Sequence, residues 1–178
     1  MASQTLCRLE EKCSIAQRID YGVCRIAFSG RMGSGKSTLA QKIIETYPDV
    51  DFKVFSFASG VREVARNVFG MKTKNRELLI QIGNKMREID PDVWAKRVIR
   101  EADSHPFCLV DDLRYPNEAK YLQEAGFTLV RLDISLDTQQ KRLQHTYPDT
   151  WKSHLEYQHH FTEEGLDDSL FEVSIPSE

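Results

Sequence analysis

Short apolar runs alternate with longer amphipathic stretches along most of the chain. Val23 to Phe28, Lys53 to Phe57, Phe107 to Val110, Thr128 to Leu132 and Phe171 to Ile175 read as strands. Between them, helical spacing puts Leu39, Ile43 and Tyr47 on one face, in a helix stopped near Pro48. A second helix has Val61, Val64, Ala65, Val68 and Phe69 inward, with Gly70 where a C-terminal glycine belongs. Residues 75–88 carry Leu78, Leu79, Ile82 and Met86 at helical spacing. Asp90-Pro91 reads as a cap and first residue of a helix running to Ala102. Pro116 opens another helix, closed by Gly126, and Asp137 to about His145 forms one more. Strands alternating with helices predict a mostly parallel sheet covered on both faces, joined by right-handed crossovers. Leu6, Leu9, Cys13 and Ala16 share a helical face ahead of the first strand. That segment, residues 1–20, reads as an N-terminal extension to a domain over 21–178. Residues 146–168 are polar and rich in His and Tyr.

In such sheets ligands gather at the carboxyl ends of the strands. After the first strand stands Gly30-Arg31-Met32-Gly33-Ser34-Gly35-Lys36-Ser37, a full G-x-x-x-x-G-K-[ST] motif, followed by Thr38. The glycine spacing lets backbone N–H groups turn inward around a phosphate, and the next helix adds its positive N-terminus. Gly30 through Thr38 are therefore expected to hold the phosphates of ATP, with Lys36 on the β and γ groups and the Ser37 hydroxyl on Mg²⁺. The strand at Phe107–Val110 ends in Asp111-Asp112, either of which is placed to orient the metal's water shell. Their side chains point opposite ways if the strand continues, so one serves the metal and the other is a local cap or solvated group. An N-K-x-D base-reading run is absent, and the chain is short for a motor ATPase. Arginines instead follow the strands: Arg62, Arg76, Arg87, Arg114, Arg131 and Arg142. Phosphoryl transfer is catalysed mainly by positioning and charge neutralisation, for which the guanidinium fork is suited. A small kinase is the class this favours.

Composition narrows the partners. The 178 residues include 24 Lys and Arg against 27 Asp and Glu, a formal charge of −3. That balance argues against direct nucleic-acid binding or a polybasic membrane contact. No apolar run approaches a membrane span, and Met1 to Ser14 lack the apolar stretch of a secretory signal. Cys7, Cys13, Cys24 and Cys108 form no C-x-x-C pair, which reads as reduced thiols and a cytoplasmic location. His154, His159, His160 and Glu163 are spaced too loosely for a zinc site and are read as lid or surface groups. Phe57, at a strand end, is a core residue that is also placed to abut an acceptor base.

Four segments beyond the phosphate loop resemble the deoxynucleoside monophosphate kinase family of phages and large DNA viruses, within the P-loop nucleoside monophosphate kinase superfamily. They are Phe57-Ala58-x-x-x-Arg62; Arg76-x4-Gln81-x-Gly83-x3-Arg87 with Trp94; Asp112-Leu113-Arg114-Tyr115-Pro116-Asn117-Glu118; and His160-Phe161-Thr162-Glu163 with Gly165, Leu166 and Asp167. The resemblance implies a three-layer αβα fold with a five-stranded parallel sheet in order 2-3-1-4-5. It also implies a helical acceptor flap over residues 59–102 and a short lid over 142–160. By it, Lys36, Asp112, Arg114 and Arg142 are catalytic, with Arg142 a lid arginine, and Ser37 and Asp112 hold Mg²⁺. Phe57, Arg62, Arg76, Gln81, Arg87, Trp94 and Arg114 are expected around the acceptor. The implied activity is transfer of the γ-phosphoryl of ATP to a deoxynucleoside 5′-monophosphate by a monomer or homodimer. Phosphomevalonate kinases of the animal type share a related D-x-R and H-x-S-E pattern, and an ATP-binding module without transfer is the reading from another class.

Overall fold

The computed structural model describes residues 2–156 and 166–177. Its sheet has five parallel strands, β1 (Cys24–Ser29), β2 (Lys53–Phe55), β3 (Phe107–Leu113), β4 (Thr128–Asp133) and β5 (Val173–Pro176). They lie in the order β2-β3-β1-β4-β5, the order expected. The apolar runs follow from burial on both faces. Cys24, Ile26 and Phe28 of β1, Leu109 of β3, and Val130 and Leu132 of β4 enter one core. Ala27, Cys108, Val110 and Leu129 enter the other. Burial pushes the thiols of Cys13 and Cys108 up to about 11 and that of Cys24 to about 12, so these groups stay protonated.

Arg25 interrupts the apolar run of β1 for a physical reason. Its guanidinium donates to the carbonyls of Ala125 at 3.0 Å, His105 at 3.0 Å and Asp103 at 3.3 Å. These lie just past two helix C-termini, where carbonyls lack partners within the helix.

On the first face lie α1 (Ala2–Cys13), α2 (Ile15–Asp20) and α3 (Lys36–Thr46). Leu6, Leu9, Cys13 and Ile15 are buried with Leu39 and Ile43 of α3. Lys12 also donates to the Ser174 carbonyl of β5 at 2.7 Å. The segment read as an extension is thus part of the main core, because its apolar face covers strands that α3 alone leaves open.

The second face carries α4 (Phe57–Asn67), α5 (Arg76–Ile89), α6 (Val93–Ala102) and α7 (Pro116–Glu124). On α4 the buried residues are Phe57, Gly60, Val61 and Ala65. Val68 and Phe69, expected inward, are 72% and 58% exposed. The helix ends at Asn67, and Gly70, at φ +65°, turns the chain away before that last turn meets the core. Trp94 locks this layer together: it is 3% exposed and its indole N–H donates to the Gly83 carbonyl of α5 at 3.3 Å. Gly60 is what admits the ring, since a Cβ there would stand 2.8 Å from Trp94 Cζ3. Gly60→Ala is therefore expected to destabilise the protein by about 1–2 kcal/mol, overpacking outweighing the gain in helix propensity. Urea unfolding of the two proteins measures this. The chain is completed by α8 (Leu136–Thr146), α9 (Trp151–Glu156) and a 3₁₀ turn at Asp168–Leu170. No described helix is long and apolar enough to cross a membrane.

Candidate phosphate-binding site

The loop between β1 and α3 wraps the carboxyl end of the sheet. Gly30, at φ +138°, passes so close to β4 that a Cβ would lie 2.4 Å from the Leu132 carbonyl oxygen. Gly35, at φ +89°, is the residue that starts α3. Both conformations need glycine, and together they turn the backbone into a cradle at a helix N-terminus. Lys36 Nζ lies back across this cradle, donating to Gly30 O at 2.6 Å and Arg31 O at 3.0 Å.

The loop is braced from behind. Gln139 Nε2 donates to Met32 O at 2.9 Å, and Arg142 Nη1 donates to Gly33 O at 3.1 Å. Arg142 also donates to Ser177 Oγ at 2.9 Å, and that hydroxyl donates to Ser34 O at 2.5 Å. Arg142, expected on the lid, instead clasps the loop, because α8 packs its inner face on Gly33 rather than projecting away. Ser177 went unnoticed in the sequence, where nothing but proximity to the end of β5 marks it.

The two adjacent acids part company. Opposite Phe28, between the pairs Ala27–Val110 and Ser29–Leu113, β3 carries two residues, Asp111 and Asp112. This β-bulge sits where β3 meets the loop. Asp111 turns to α3, its Oδ2 accepting from Ser37 Oγ at 2.5 Å. Asp112 turns to the other face and accepts from Ser56 Oγ at 2.7 Å and from the N–H groups of Phe57 and Ala58 at 2.9 Å. It thereby caps α4, which lacks a side-chain cap of its own. Asp112 was expected to share a metal with Ser37; the carboxylate that bonds Ser37 is that of Asp111. Ser37 and Asp111, an exposed hydroxyl and a carboxylate sharing one hydrogen bond, form a hard-oxygen pair that suits Mg²⁺.

Around these groups stand the arginines. Arg62 of α4 donates to Ser56 Oγ at 3.3 Å, beside Asp112. Arg87 of α5 lies with its Cζ 4.2 Å from the Tyr115 ring centroid and Nη2 3.6 Å from Glu118 Oε1. Arg114 immediately follows β3. Arg62, Arg87 and Arg114 thus come from three elements to one end of the sheet. Phe57 and Trp94, expected at the acceptor, are 4% and 3% exposed and belong to the core beneath α4 and α5. Gln81 is exposed on α5, donating to Glu77 at 3.4 Å. Arg76 stands 3.5 Å from His154 Nδ1 on α9, joining the start of α5 to the segment expected as the lid. Partial burial, then the cations of Arg76 and Lys74, hold the His154 pKa below its ordinary value. Residues 157–160 of the expected lid, with His160, Glu163 and Gly165 of the last signature, lie outside the described residues.

Glu118 was legible as the last letter of its signature but not as a buried group. It is 2% exposed, and its Oε2 accepts from the N–H groups of Arg114 at 3.0 Å and Tyr115 at 3.1 Å. Burial pushes its pKa up to about 7.

A protein from Ictalurid herpesvirus 1 (strain Auburn), named "Uncharacterized protein ORF76", is 28% identical over 109 residues. That stretch is 57% of this chain and 44% of the relative, so the chain matches less than half of the relative's length. Among solved structures, a gluconokinase from Sinorhizobium meliloti 1021 superposes with a TM-score of 0.53 at 17% identity, covering 86% of this chain and 82% of that one. An uncharacterized protein from Eubacterium ventriosum ATCC 27560 gives 0.51 at 17%, covering 86% and 88%. These likenesses are of fold. The model of the AAA domain matches residues 29–145, from the end of β1 through the phosphate loop and both acids to α8. The chain belongs to this AAA-domain family of P-loop NTPases.

Proposed function

We propose that the protein is a phosphotransferase that moves the γ-phosphoryl group of ATP to a nucleoside 5′-monophosphate, a deoxynucleotide by the resemblance of its acceptor segments. The observation that carries this reading is that Arg62 of α4, Arg87 of α5 and Arg114, the residue after β3, come to the sheet end that also holds Lys36, Ser37 and Asp111. An acceptor that already bears a phosphate needs fixed positive charge of its own, separate from the donor's.

In this reading the N–H groups of the loop and of the first turn of α3 hold the donor phosphates. Lys36 exchanges a loop carbonyl for a phosphate oxygen. Ser37 and Asp111 would hold a divalent cation, which when bound offsets charge on the donor phosphates. Asp112 keeps α4, and with it Arg62, in register with the reacting groups. Arg87 and Arg114 hold the acceptor's monophosphate. Closure of α5 against α9, prefigured by Arg76 and His154, excludes water so that phosphate passes to the acceptor.

The test is ADP release in the presence of dAMP, dCMP, dGMP, dTMP, the four ribonucleotides, phosphomevalonate and gluconate. Turnover is expected with at least one nucleotide and at background rate with the last two. Arg114→Ala is expected to raise the acceptor KM about tenfold or more, the loss of one charge-assisted contact, with the KM for ATP little changed. Turnover with phosphomevalonate or gluconate alone would replace this acceptor, and no turnover with any would leave a nucleotide-binding module.

A further inference from the structure

Among the described residues, Glu118 is the one carboxylate that is buried. A charge in such a place is costly unless it is paired and hydrogen-bonded. Its Oε2 is committed to the turn between β3 and α7 through the N–H groups of Arg114 and Tyr115. Both bonds favour the charged form, although a neutral carboxyl oxygen or an amide oxygen can still accept them, and Arg87 adds a weaker pull in the same direction. At 3.6 Å from Oε1, Arg87 Nη2 is beyond the roughly 2.7–2.9 Å of a charge-assisted hydrogen bond, so the pair is electrostatic and loose. The guanidinium stays there by stacking on Tyr115 and by lying across Gly83, where a Cβ would come 3.3 Å from Nη1. The charged groups acting on Glu118 are Arg87 from α5 and Asp112 from β3, and they act in opposite directions.

We propose that Glu118 is a positioning residue that holds Arg87 against α7 and yields it to the acceptor's monophosphate by taking up one proton. This rests on the acceptor reading above. When the guanidinium turns to a phosphate, the carboxylate is left buried with the like charge of Asp112 as its charged neighbour. Its favourable state is then the neutral acid, formed by a solvent proton adding to Oε1 while Oε2 keeps its two N–H donors. No other bond changes. Burial already raises the Glu118 pKa to about 7, and loss of Arg87 raises it further. Above neutrality each acceptor bound therefore draws one proton from water. The acceptor's own second ionisation, near ~6, is complete in that range and does not interfere.

The experiment measures acceptor KM from pH 7.0 to 8.5 for dAMP, dCMP, dGMP and dTMP, in wild type and Glu118→Gln, with saturating ATP and Mg²⁺. In wild type the KM is expected to rise toward about tenfold per pH unit, the slope for one proton, while the KM for ATP does not follow. In Glu118→Gln the acceptor KM is expected to stay flat. A flat wild-type profile, or an unchanged slope in the variant, overturns the proposal. If the variant does not fold, ¹³C NMR titration of the Glu118 carboxyl in wild type decides. Titration near 7 that moves upward in Arg87→Ala supports the coupling, and titration in the ordinary carboxylate range overturns it, whatever the acceptor. Failure of every monophosphate to be phosphorylated, with Glu118 still titrating near 7, overturns the acceptor reading and with it the ligand assigned here.

Discussion

Lys36→Ala is expected to lower kcat by about 10²–10³-fold or more while the protein remains folded. Lys36 Nζ already lies in the cradle, bonded to the Gly30 and Arg31 carbonyls. Those are bonds it can exchange for phosphate oxygens. Removing it takes away the cation expected on the transferring group, so the loss falls on kcat more than on KM. The fold should survive because the side chain is only half-buried and its loop bonds are worth about 1 kcal/mol each. Circular dichroism and thermal melting check the fold, and steady-state turnover checks the rest. A folded variant with near-normal turnover would contradict the role.

The second large effect separates the two adjacent acids. Asp111→Asn is expected to cut kcat by about 10²-fold or more and to raise the Mg²⁺ concentration needed for half-activity, because it neutralises the carboxylate beside Ser37. Asp112→Asn leaves that pair intact and acts on α4. An amide can satisfy one of the two N–H groups that Asp112 now accepts, and its own NH₂ then opposes the other. A stability loss of about 1–2 kcal/mol and a raised acceptor KM are expected, with the Mg²⁺ requirement unchanged. Mg²⁺ titrations of both variants decide between them. If Asp112→Asn altered the metal requirement and Asp111→Asn did not, the assignment of the two acids would be reversed.

That pair of residues also shows where the sequence stopped being legible. Strand alternation predicts that the two side chains point opposite ways, and they do, Asp111 toward Ser37 and Asp112 to the cap of α4. It did not say which was which, and family resemblance assigned the metal to Asp112. The deciding feature is the bulge opposite Phe28, a matter of strand register that no local pattern encodes. The phosphate loop and the helices between strands were legible because glycine spacing and apolar periodicity are local properties, whereas the strand order came from the family resemblance. Trp94, expected near the acceptor, and Phe57, read as core and also as an acceptor neighbour, both lie in the core. An aromatic near a motif looks the same on paper whether it faces a ligand or, as here, fills the space that Gly60 leaves under α4. Arg142 was found as a residue but not as a brace, since its partners Gly33 and Ser177 are remote in sequence. Glu118 was visible in its signature, but its burial, and the Arg87 that answers its charge, arise only when α5 and α7 pack together.

The central claim is that the γ-phosphoryl group of ATP leaves for a nucleoside monophosphate, and labelled transfer tests it most directly. The protein is incubated with Mg²⁺, γ-³²P-ATP and each of the deoxynucleoside and ribonucleoside 5′-monophosphates in turn, and the products are separated by chromatography. The expected result is label in the β-position of a nucleoside diphosphate for at least one acceptor, lost in Lys36→Ala. Label appearing only as inorganic phosphate, or remaining in ATP with every nucleotide while the wild-type protein is folded, would contradict it.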